Sequence, residues 1–93
     1  MKVYVIHPRE DAKDYELKVA AAEVALRENG NQVVNPMITT RRYTNELGYE
    51  IYGRKIEQCD AVFAMEGWAH SDTSNLEMAN AMKLKKTITF EQN

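Results

Sequence analysis

The feature that most constrains this chain is a regular change of hydrophobic period, from strand to helix and back, along its whole length. "KVYVI" (Lys2 to Ile6) is a short β-rich run. From Asp11 the pattern turns helical, with Tyr15, Val19, Ala22 and Leu26 recurring at i, i+4, i+7 and i+11 and a stop at Asn29-Gly30. "QVV" (Gln32 to Val34) reads as a second strand closed by Asn35-Pro36, and "MITTRRYTN" after it has no period and reads as a loop. Tyr49, Tyr52, Ile56 and Cys59 at i, i+3, i+7 and i+10 predict a second helix ending at Asp60. The near-continuous apolar run "AVFAM" then predicts a strand covered on both faces, and "EGWAHSD" a loop. A third helix is expected from about Thr73 to Leu84, and "TITF" (Thr87 to Phe90) as a fourth strand.

Strands alternating with helices imply a parallel sheet joined by right-handed crossovers, with helices on both faces. The expected fold is α/β, three-layered and flavodoxin- or Rossmann-like, with a four-stranded sheet in the order 2-1-3-4 taken by analogy with flavodoxin-like sheets. In such sheets ligands bind beyond the carboxyl ends of the strands, where the strand order reverses. Three segments arrive there: "HPRED", "NPMITTRRY" and "EGWAHSDTSN".

Composition narrows the partners. The 93 residues, 44% hydrophobic and 28% charged, read as one globular domain over 1–93. A core this small makes a homodimer covering an apolar helix face a reasonable expectation. A net charge of −2 gives no general attraction to nucleic acid polymers or anionic membrane, while small anions stay open. One cysteine, Cys59, allows no internal disulfide, and no apolar run approaches ~18 residues, so cytoplasm is the expected compartment. Cys59, His7 and His70 have no metal-ligand spacing, there is neither G-x-G-x-x-G nor P-loop, and no cofactor is expected.

One carboxylate draws attention. Ser74-x-x-Glu77 fits a capping box, which alone would explain Glu77. Ser71 and Asp72 are equally good caps a little earlier, however, which would put Glu77 deeper in the helix, on the flank of Ala81 and Leu84 and toward the packed side. On residue chemistry both readings stand.

"VYVIHP", "NGNQVVNP", "CDAVFAMEGW" and "SDTSNLEMANAMKLKK", taken in order over nearly the whole chain, resemble the nucleoside 2-deoxyribosyltransferase-like domains. That family includes deoxynucleotide N-glycosidases and many short bacterial and phage proteins. The resemblance implies a small-molecule deoxynucleoside or deoxynucleoside 5′-monophosphate as ligand, with cleavage or transfer across its N-glycosidic bond. It makes Glu77 the nucleophile that attacks the anomeric carbon, Tyr4 the hydroxyl that orients it, and Ser71 a phosphate contact compatible with a capping role. Asp60 also matches, as a strand-opening residue with a structural role.

Two departures from the family pattern stand out. The aspartate that handles the leaving base lies eight residues before Asp60 in the family, and here that position is Tyr52. Glycines of the first loop are replaced by His7-Pro8-Arg9, and Thr73 stands where a glycine usually follows Ser71. His7 is then a candidate proton donor to a departing base, with His70 a second candidate. Trp68 is either a base-stacking or a packing residue, Asp72 flanks the same helix start, and Arg41 in "TTRRY" is a candidate phosphate partner or a solvated loop cation. The rival reading is a catalytically degenerate nucleotide-sensing or protein-binding module on the same fold.

Overall fold

A computed structural model describes residues 1–8, 12–34 and 46–92, with side chains described from residue 16 in the first helix and from residue 49 in the second. Its elements are β1 (Lys2–Ile6), α1 (Ala12–Glu28), β2 (Gln32–Val34), α2 (Glu46–Glu57), β3 (Ala61–Ala64), a 3₁₀ turn (Trp68–His70), α3 (Asp72–Lys83) and β4 (Thr87–Phe90). The four strands form one sheet in the order β2-β1-β3-β4, with every neighbouring pair parallel. The expected α/β architecture and strand order are both present. Among the described residues, differences from the sequence reading are small: β3 stops at Ala64, Cys59 lies beyond the end of α2, and the loop after β3 holds the 3₁₀ turn; the Asn35-Pro36 stop and the "MITTRRYTN" loop lie outside those residues.

Alternation along the strands sends side chains to two cores. Tyr4, Ile6, Val62 and Ala64 pack with Ile56, Cys59, Met78 and Ala81 on the face covered by α2 and α3. Val5 and Met65 pack with Val19 on the other face, where Ala22 and Leu26 of α1 and Val33 and Phe63 of the sheet complete the cluster. β1 serves both faces, and Tyr4, Val5 and Ile6 are all fully buried. Each such apolar side chain contributes about 1.5–3 kcal/mol on burial, so this central strand anchors the fold.

The helix ends follow local chemistry. At the end of α1 the amide of Asn31 reaches the carbonyl of Leu26 and that of Gly30 the carbonyl of Arg27, with Gly30 at a positive φ of 87°. This is a Schellman stop, and glycine takes its left-handed position without a Cβ clash. α3 ends the same way: the amide of Lys86 reaches Ala81 and that of Lys85 reaches Met82, with Lys85 at φ 56°. At the start of β3, Oδ2 of Asp60 accepts from the backbone amide of Lys2 at 2.8 Å, tying the entry of β3 to that of β1. That contact explains Asp60 structurally.

α2 and α3 cross closely at Gly53. Nδ2 of Asn80 donates to the carbonyls of Tyr49 (2.8 Å) and Leu76 (3.1 Å), so one side chain joins both helices. A Cβ on Gly53 would lie 2.6 Å from Oδ1 of Asn80, so only glycine fits without displacing it.

Candidate active site

The site is built at the switch point, where β1 and β3 lie side by side and their following segments leave in opposite directions. α3 is pinned to this place from its first turn. Ser71 is the N-cap, its Oγ accepting from the Ser74 amide at 3.3 Å. The hydroxyl of Ser74, thereby released from any capping duty, donates to the carbonyl of His7 at 2.7 Å. Asn75 closes the turn before the helix, with Nδ2 donating to the carbonyls of Ala69 and Ser71 at 2.9 and 2.8 Å.

With Ser71 as cap, Glu77 is the sixth helical residue of α3, and a Ser74–Glu77 capping box does not form. The carboxylate instead turns inward and is fully buried. Oε2 of Glu77 accepts a hydrogen bond from the hydroxyl of Tyr4. Two separate periodicities produce this meeting: the pleat of β1 sends Tyr4 to the α2–α3 face, and Glu77 lies on the side of α3 that carries Thr73 and Ala81 toward that face. A buried carboxylate is tolerated only with partners, and the Tyr4 hydroxyl is one of them.

His7 follows β1 directly and is also fully buried. Its Nδ1 lies 3.0 Å from the carbonyl of Pro8. A carbonyl can only accept, so Nδ1 carries the proton of that bond and Nε2 is the nitrogen able to exchange one. Tyr52 is 2% exposed, within the packed interior of α2. Asp72 opens α3 with an exposed side chain. His70 is exposed at the end of the 3₁₀ turn, while Arg41 lies outside the described residues.

Trp68 sits on the β4 side of the helix. Its ring packs against Phe90 with centroids 6.3 Å apart and planes tilted by 36°, beside a cavity of about 220 Å³ that Met65 and His70 also line. Trp68 also packs against the hydrophobic core cluster that contains Tyr4.

Two residues of the site are not apparent from sequence patterns. Ser74 reads as a capping residue but bonds to His7 just after β1, and nothing local signals a partner 67 positions away. Thr73 is fully buried, and its Oγ1 has no hydrogen-bond partner among the described residues. Among the described residues no group of three or more His, Cys, Asp or Glu side chains is placed to hold a metal ion, and no helix is long and apolar enough to cross a membrane.

A parallel sheet with a buried Tyr–carboxylate pair at its switch point defines a small α/β protein of the doubly wound class. The chain belongs to the family described as "Domain of unknown function (DUF4406)", which it matches over residues 1–90. It is also similar to the solved structure of the Clostridium botulinum CMP N-glycosidase BcmB, with a TM-score of 0.70 and 18% identity over 97% of this chain and 70% of that one. At that identity the likeness shows that the two chains share a fold. No curated protein matches the chain.

Proposed function

We propose that the chain binds a nucleoside or deoxynucleoside 5′-monophosphate at the switch point and cleaves or transfers across its N-glycosidic bond. The observation that carries this reading is the fully buried Glu77 carboxylate accepting from the Tyr4 hydroxyl beside the carboxyl end of β1. The fold shared with an enzyme that cleaves CMP supports it.

In this mechanism an oxygen of Glu77 attacks C1′ from the face opposite the base. The C1′–N bond breaks and its electron pair leaves with the base, which takes a proton from Nε2 of His7 in its protonated state. Tyr4 holds the carboxylate in line. Water, or an acceptor base in transfer, then attacks C1′, breaks the ester to Glu77 and loses a proton, so that two inversions give net retention. The Asp72 and Thr73 amides at the start of α3, with Ser71, face the 5′-phosphate, since the first N–H groups of a helix have no intrahelical acceptor, the Ser74 amide is taken by the Ser71 cap, and the helix dipole favours an anion there.

The second reading is a nucleotide-binding module without turnover, favoured by the buried Tyr52 at the position where the resemblance places an aspartate. Incubation with a panel of nucleosides and their monophosphates, followed by chromatography for free base, separates the two. Release by wild type but not by Glu77→Gln supports catalysis. If neither wild type nor Tyr52→Asp releases base while monophosphates still bind, the binding module is the function. Exposed Leu17 and Val24 on α1 are where a second copy would pack in the expected homodimer.

A further inference from the structure

The start of α3 carries a cluster of polar side chains, Ser71, Thr73, Ser74 and Asn75, each of which makes a hydrogen bond among the described residues except Thr73. Ser71 Oγ takes the Ser74 amide, Ser74 Oγ gives to His7, and Asn75 spans Ala69 and Ser71. Thr73 Oγ1, in a fully buried residue, has no hydrogen-bond partner among the described residues. Its place in the helix explains why. A helical threonine usually bonds the carbonyl four residues back, but for the second residue of α3 that carbonyl, on Ala69, lies before the helix and accepts from Asn75. Leaving a buried hydroxyl unpaired costs stability through its lost hydration, a cost recovered when a ligand supplies the partner.

Thr73 lies four residues before Glu77, so the two share one face of α3 about one turn, ~5.4 Å, apart. Thr73 is nearer the helix N-terminus, hence between the nucleophile and the end that faces the phosphate. The nucleophile must approach a β-nucleotide from the face opposite the base, and the ring hydroxyls project on that same face. Of these, the 3′-hydroxyl is the one nearer the 5′ end. We infer that Thr73 is a substrate-specificity residue whose hydroxyl bonds the 3′-hydroxyl of the bound sugar, making the ligand a free nucleotide monomer rather than a residue within a polynucleotide, whose 3′ oxygen is esterified.

This inference rests on the proposed nucleotide site, and its test separates the two. Calorimetric binding of the ribonucleoside and 2′-deoxyribonucleoside 5′-monophosphates and of their counterparts lacking the 3′-hydroxyl is measured for wild type, Thr73→Val and Thr73→Ser, with thermal melting of each. Wild type should lose about ten-fold in affinity when the 3′-hydroxyl is removed. Thr73→Val should bind both forms alike and melt no lower than wild type, because it deletes an unpaired buried hydroxyl. Thr73→Ser should restore the preference. A Thr73→Val protein that retains the preference, or that melts several degrees lower, overturns the role of Thr73 and leaves the nucleotide site intact. Failure of wild type to bind any of the monophosphates overturns both.

Discussion

The hydroxyl of Tyr4 and the carboxylate of Glu77, separated by 73 positions in the chain, share a hydrogen bond inside the protein. Tyr4 comes from the central strand and Glu77 from the helix that closes the last crossover, so the pair reports the correct assembly of the whole sheet. The contact leaves an acid inside the core, an arrangement that costs stability and suits a nucleophile held ready.

Removing either partner should act on turnover in different ways. If Glu77 is the nucleophile proposed above, Glu77→Gln keeps the shape but removes the attacking charge, so base release should fall by roughly 10³-fold or more while nucleotide binding persists. Tyr4→Phe leaves the carboxylate in place without its orienting donor, and release should fall by roughly 10²-fold. It should also destabilise the protein by about 1–3 kcal/mol, since a buried acceptor loses its donor. Single-turnover kinetics and urea denaturation measure the two effects.

The start of α3 predicts a preference for phosphate. Monophosphates should bind more tightly than the matching nucleosides, and raising salt from about 50 mM to 500 mM should narrow the gap by screening. Equal affinities by calorimetry would remove the phosphate site. Ser71→Ala should weaken monophosphate binding and, through loss of the cap, lower stability by about 1 kcal/mol.

Gly53→Ala tests the α2–α3 crossing. Alanine is the better helix former by about 1 kcal/mol, yet its Cβ would stand 2.6 Å from an Asn80 oxygen whose amide is held by two carbonyls. The steric term should win, with a net loss of about 1–3 kcal/mol in urea denaturation. Combining it with Asn80→Ala should cost less than the sum of the single changes, because the second substitution removes the obstacle.

Cys59 sets an alkaline signature. Burial pushes its thiol above the ordinary range, Lys2 and Lys86 oppose this in part and Asp60 adds to it, while Sγ lies 3.4 Å from the Lys55 carbonyl to which it donates. The folded state therefore holds the proton longer than the unfolded chain. The sign follows: this contribution is complete below the unfolded thiol pKa of about 8.5 and is lost as pH rises from there through the folded value. Between about pH 8 and 10, the unfolding free energy of wild type from urea denaturation should fall more steeply than that of Cys59→Ala, by at most ~1.4 kcal/mol per pH unit.

Much of this architecture is legible from local pattern. Period-two and period-3.6 runs place the strands and helices to within a few residues, and Asn29-Gly30 marks a stop that the backbone makes at Gly30. The same alternation assigns Tyr4 and Ile6 to one face of the sheet and Val5 to the other. The parallel order itself follows from crossover handedness and analogy rather than from any one residue. What tertiary structure alone decides is which faces meet. Ser71, Asp72 and Ser74 are chemically equivalent caps in a linear sequence, and the choice of Ser71 depends on the His7 carbonyl, which engages Ser74. Trp68, open to two readings in sequence, packs on Phe90 because β4 lies next to β3. Thr73 is polar in sequence, and only burial without a partner distinguishes it. Periodicity is a property of neighbours three or four residues apart, whereas the Tyr4–Glu77 contact depends on strand order and crossover, which form only when distant segments pack together.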